Sequence, residues 1–87
     1  MTKEEVDTYA KESGVELLLA DGFEQAIIGV GSKFPDEESV VYDYDKCVSI
    51  LMERDSMTQD DAVEYMEFNV VQAYVGKATP IFVRTQL

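Results

Sequence analysis

The sequence predicts an α+β fold: a small antiparallel sheet of about four strands, with two central amphipathic helices packed on one face and a short N-terminal helix. Three observations predict it. Short apolar runs surround an Asp-Gly and a Phe-Pro in the first half of the chain. Two stretches of helical spacing follow, each opened by a capping residue. A last apolar run, Thr79-Pro80-Ile81-Phe82-Val83-Arg84, begins with a proline, as an edge strand tolerates.

Each element has its own signal. Thr2-Lys3-Glu4-Glu5 is a capping box, Val6, Tyr9 and Ala10 share one side of a helix, and Gly14 stops it. Val15 to Ala20 and Ala26 to Gly31 are two apolar runs around Asp21-Gly22, the pattern of a β-hairpin. Phe23 is too apolar to rest in solvent, so the connection is expected to be looser than two residues. Residues 34–39 read as a loop and Val40-Val41-Tyr42 as a short third strand. Tyr44, Cys47, Val48 and Leu51 recur at i, i+3, i+4 and i+7, predicting a helix over 44–54 capped by Asp43. Thr58 caps a second helix, with Asp61 at its third position and Met57 able to fold over Ala62. Ala62, Val63, Met66, Val70, Ala73 and Tyr74 trace its inner face, and Gly76 marks its end.

Length and composition bound the function. Eighty-seven residues suit a single domain, 1–87, with 1–13 as a peripheral helix and 15–84 as the core. One cysteine, Cys47, cannot form an internal disulfide, and with no histidine the usual zinc, haem and iron–sulfur ligand sets are missing. The commonest general base and every Ser/His or Cys/His pair go with it. No apolar run reaches the ~20 residues of a membrane span, and 1–12 lacks the hydrophobic region of a signal peptide. A reducing, cytoplasmic setting without membrane contact is expected. The net charge of −11 would repel nucleic acid, so direct nucleic-acid binding is not expected.

The acidity is concentrated. Residues 34–67 hold 11 acidic and 2 basic side chains, whereas 68–87 carry a net charge of +2. Asp36, Glu37, Glu38, Asp45, Asp60, Asp61, Glu64 and Glu67 are the candidate partner-binding residues in that zone. Oxygen clusters suit Ca²⁺ or Mg²⁺, but Asp43 and Asp45 are wanted as cap and first-turn acid, and no EF-hand spacing is present, so no metal site is assigned. Gly29-Val30-Gly31-Ser32-Lys33 lacks the third glycine of a dinucleotide fingerprint and the spacing of a P-loop. Cys47 falls on the apolar stripe of its helix and reads as a packed hydrophobe. Phe68, Val71 and Val75 widen the apolar arc of the second helix beyond one side, which invites a second copy of the chain against it. Asn69 interrupts that arc.

The phrases DGFEQAIIGVG and VYDYDKCVSILMERDSMTQDDAVEYMEFNVVQAYVGKATPIF, within Asp21 to Val83, resemble a family of short uncharacterised proteins of tailed bacteriophages and prophages. The resemblance implies a phage-encoded protein of the host cytoplasm and brings no activity, cofactor or catalytic residue with it. The leading expectation is a non-catalytic interaction module, without cofactor, that docks on a host or phage protein. Its sharpest form is a mimic of nucleic acid that occupies a basic groove. The alternative is an oligomer holding a small ligand such as a nucleotide at a subunit interface, with Gly29, Gly31 and Lys33 near Tyr42 or Tyr74 for base stacking.

Overall fold

A computed structural model describes residues 1–33, 37–73 and 75–85. Helix α1 runs over Lys3–Ser13. The Glu5 N–H donates to the Thr2 hydroxyl at 3.2 Å and the Thr2 N–H donates to the Glu5 carboxylate at 2.9 Å, completing the capping box. Gly14 ends the helix in the left-handed region at φ 70°, which glycine adopts without the penalty of a Cβ. Val6 carries α1 into the core, at 1% exposure.

The next segment departs from expectation. Residues 15–20 form no strand, so the hairpin expected around Asp21-Gly22 does not exist. Leu17, Leu19 and Ala20 instead lie half-buried against the core as an irregular segment, and the Ala20 N–H donates to the Tyr42 hydroxyl at 2.7 Å. The run Leu17-Leu18-Leu19 does not alternate, so neither pleat face would be clean if it joined a ladder. Phe23 is buried and leads into a single 3-10 turn over Glu24–Ala26.

The hairpin forms one step later, between β1 (Ile27–Lys33) and β2 (Glu37–Asp43). Glu37, Glu38 and Ser39, expected in a loop, are the first residues of β2, while Asp36 lies outside the described residues. Charge is tolerated there because each carboxylate meets a partner: Lys33 sits directly across from Glu37 with its ammonium at 3.5 Å, and the Tyr9 hydroxyl of α1 donates to Glu38. On the neighbouring strand, a Cβ built on Gly31 would come within 3.0 Å of Val41 Cγ2, so this glycine allows close side-chain approach across the ladder.

Helix α2 (Tyr44–Arg54) follows β2 directly, with the Asp43 carboxylate accepting from the Lys46 N–H at 3.2 Å. Tyr44, Cys47, Val48 and Leu51 are its buried face, at the spacing expected. Helix α3 spans Gln59–Tyr65, capped by Thr58, whose hydroxyl accepts from the Asp61 N–H at 3.2 Å. It does not continue to Gly76: a π turn over Met66–Val70 takes its place, with the Val71 N–H donating to the Met66 carbonyl at 2.8 Å. Because α3 is only two turns long, its start matters more than usual. Thr58→Ala is expected to lower stability by about 1 kcal/mol in urea titration.

Strand β3 (Ile81–Val83) completes the sheet in the order β1-β2-β3. Among the described residues the sheet therefore has three strands, not the four expected, and is mixed, since β3 runs parallel to β2 with Tyr42 opposite Phe82. Passage through α2 and α3 is the crossover that a parallel pair requires. Val40 and Tyr42 share the face of β2 that joins Ile27, Leu51, Ala62 and Met66 in one core. The Tyr42 and Phe82 rings stack with centroids 5.3 Å apart.

Cys47 is buried in this core, and burial, followed by the nearby Asp43 charge, pushes its thiol up to about 12. An unfolded thiol titrates near 9. Between these values the unfolded chain gives up a proton that the native chain retains, so Cys47 makes stability fall as pH rises through that window. Accordingly, a disulfide reagent at about pH 8 is expected to leave the native chain unmodified and to label it once guanidinium unfolds it; rapid labelling without denaturant would contradict the packed reading.

Candidate functional site

The fold sorts the expected acidic residues into two groups. Glu37 and Glu38 are half-buried and engaged by Lys33 and Tyr9. Glu67, expected on an outer face, is turned toward β3: it accepts from the Tyr44 hydroxyl at 3.0 Å and from Arg84 at 3.4 Å. The Arg84 guanidinium lies 3.9 Å from the Tyr44 ring centroid, so these three side chains tie the end of β3 to the start of α2. Burial and the Glu67 carboxylate raise the Tyr44 phenol above its ordinary range. Asp45 is half-buried in the first turn of α2, with Oδ2 unpartnered. Asp60, Asp61 and Glu64 are exposed on α3 and make no ion pair among the described residues.

Two of these carboxylates, Asp61 and Glu64, border a partly apolar surface. Asp61, Glu64, Tyr65 and Phe68 stand at i, i+3, i+4 and i+7, on the side of α3 away from the buried Ala62 and Met66. With Met57 and Asn69 they line a surface hollow of about 300 Å³. Phe68 is 70% exposed, far beyond what packing within the chain would leave for a phenyl ring. Of the three residues expected to widen the helix's apolar arc, Phe68 lies in the π turn while Val71 and Val75 fall beyond it; all three are exposed.

Tyr65 and Asn69 also line a second hollow, a cleft of about 270 Å³ on the other side of the π turn. Its walls come from the irregular segment 15–23 (Leu19, Phe23), from the π turn (Val70) and from the start of β3 (Pro80, Phe82), with Asp21 at its margin. The irregular path of 15–23 brings Leu19 and Phe23 to this wall. π turns recur at functional sites because they set side chains out of α-helical register. Tyr65 was not singled out from the sequence. Its signal was available: it is four residues after Asp61 and three before Phe68, off the stripe that carries Ala62 and Met66.

The remaining candidates do not converge on these hollows. Gly29 to Lys33 lie within β1, paired to β2, with no helix N-terminus following them. Tyr42 is buried at the centre of the sheet, and Tyr74 lies outside the described residues. Among the described residues, no group of three or more His, Cys, Asp or Glu side chains is placed to hold a metal ion, and no helix is long and apolar enough to cross a membrane.

Comparisons with protein-family models, with curated proteins and with solved structures give no match to this chain.

Proposed function

We propose that this chain is a non-catalytic protein-interaction module that engages a basic protein through the outer face of α3. One observation carries the reading: Phe68, 70% exposed, lines one hollow with Tyr65 and the open carboxylates of Asp61 and Glu64. Aromatic rings ringed by one sign of charge are the composition of interface centres, where a desolvated ring supplies affinity and the charge steers encounter. The resemblance to phage proteins would make that partner a host or phage protein. Nucleic-acid-binding proteins fit by their basic surfaces. Mimicry by charge alone is less well supported, because Glu37, Glu38 and Glu67 spend their charge inside the fold.

The test is capture from infected cells with the immobilised chain and with the triple variant Asp60→Asn, Asp61→Asn, Glu64→Gln. The expected result is a basic partner held by the native chain, released as ionic strength rises from about 0.05 to 0.5 M, and lost from the variant with its circular dichroism unchanged. Equal recovery by both chains at all salt concentrations would remove the reading.

A further inference from the structure

We infer that the cleft beneath the π turn seats an apolar side chain of the same basic partner, so that the recognised element is a cationic amphipathic segment rather than a merely cationic one. This inference rests on the proposed function and narrows it to a class of ligand. The two hollows are not separate features: Tyr65 and Asn69 belong to both, so a segment crossing the π turn meets Phe68 and the α3 carboxylates first and the cleft next. The cleft wall is aliphatic and aromatic, from Leu19, Phe23, Val70 and Phe82, which suits a Leu, Met or Phe side chain in size and chemistry. Asn69 between them offers both a donor and an acceptor to the backbone of whatever crosses.

Charge selects the occupant. No lysine or arginine is among the described residues lining either hollow, while Asp21, Asp61 and Glu64 are among them. The cation beside the cleft wall is Arg54, 5.6 Å from the Phe23 ring centroid, and it is already taken by Asp55 and the Gly22 carbonyl, so an anionic ligand such as a nucleotide would meet Asp21, Asp61 and Glu64 with little to offset them. A second copy of the chain would bring the same carboxylates and a further net charge of −11 against them. A segment alternating Lys or Arg with large apolar residues at helical spacing satisfies both the margins and the wall.

The experiment is a titration of the isotope-labelled full chain, followed by NMR, with three synthetic peptides of equal length: one of Lys and Leu at amphipathic helical spacing, one of Lys and Ser in the same charge pattern, and one of Glu and Leu. The Lys/Leu peptide is expected to bind about tenfold or more tightly than the Lys/Ser peptide and to shift the amides of Leu19, Asn69 and Phe82 as well as those of α3. The variant Ala73→Phe, which fills the cleft from its exposed margin, is expected to bring the Lys/Leu affinity down to the Lys/Ser level. Equal affinity for both cationic peptides, with shifts confined to 60–68, overturns the cleft assignment and leaves the α3 contact standing. Failure of both cationic peptides to bind overturns the α3 contact itself. Binding of the Glu/Leu peptide as tightly as the Lys/Leu peptide overturns the cationic class. A dimer in sedimentation equilibrium that Phe68→Ser dissolves overturns the assignment in favour of a second copy. The peptide comparison is made on the unaltered chain, so it stands even where Ala73→Phe fails to fold.

Discussion

Replacing Tyr42 with alanine is expected to remove about 3–5 kcal/mol of stability, the range for large-to-small changes at closed core sites. A domain of this length has only roughly 4–13 kcal/mol in total, so the variant loses about a quarter or more of its stability. Three connections end on this side chain. Its ring stacks on Phe82 of β3, its position pairs with Ile27 of β1, and its hydroxyl accepts the Ala20 N–H of the irregular segment. Tyr42→Phe keeps the first two and leaves only the Ala20 N–H without its acceptor, for which about 1 kcal/mol is expected. Urea titration of both variants checks the pair. A small loss for alanine, near that for phenylalanine, would mean that residues 15–20 and β3 are held by something other than Tyr42.

Truncating Phe68 to alanine should do the opposite. The ring is exposed, so stability is expected to change by less than about 0.5 kcal/mol. Affinity for the captured partner, or for the Lys/Leu peptide, is expected to fall about 30-fold or more, because an exposed ring lining the surface hollow has the exposure and chemistry of an interface hot spot. Calorimetric titration of the two chains measures the ratio. A Phe68→Ala chain that binds as tightly as the native one would move the contact elsewhere. A clear loss of stability would show that the ring packs within the chain.

The same contrast between local and distant determinants explains which parts of the fold were legible in the sequence. Each helix start could be read, because a cap and its partner are three residues apart: Thr2 with Glu5, Asp43 with Lys46, Thr58 with Asp61. The buried faces of α2 and of the start of α3 followed from spacing for the same reason. Sheet pairing is not local. The run 15–20 is as apolar as β1, yet it packs on the core without joining the ladder, tied by the Ala20 N–H to Tyr42, more than twenty residues on. Glu37 and Glu38 looked like loop residues until Lys33 and Tyr9 supplied partners. The parallel sense of β3 depends on how two helices return the chain, which no short pattern records.

The candidate site divides along the same line. Asp60, Asp61 and Glu64 were readable as an outer helical face. Glu67 was not separable from them, since the Tyr44 and Arg84 that engage its carboxylate come from distant positions. The exposed apolar residues Phe68, Val71 and Val75 were visible, but not that the helix gives way to a π turn at the fully buried Met66 and ends at Val70, before Val71 and Val75.

Hydrogen–deuterium exchange on the chain alone and bound to its captured partner, or to the Lys/Leu peptide, asks most plainly which surface is covered. The contact described here predicts slowed exchange across 61–69 and at Leu19, with β1 unchanged. Protection confined to β1, with 61–69 exchanging as fast as in the free chain, would contradict it.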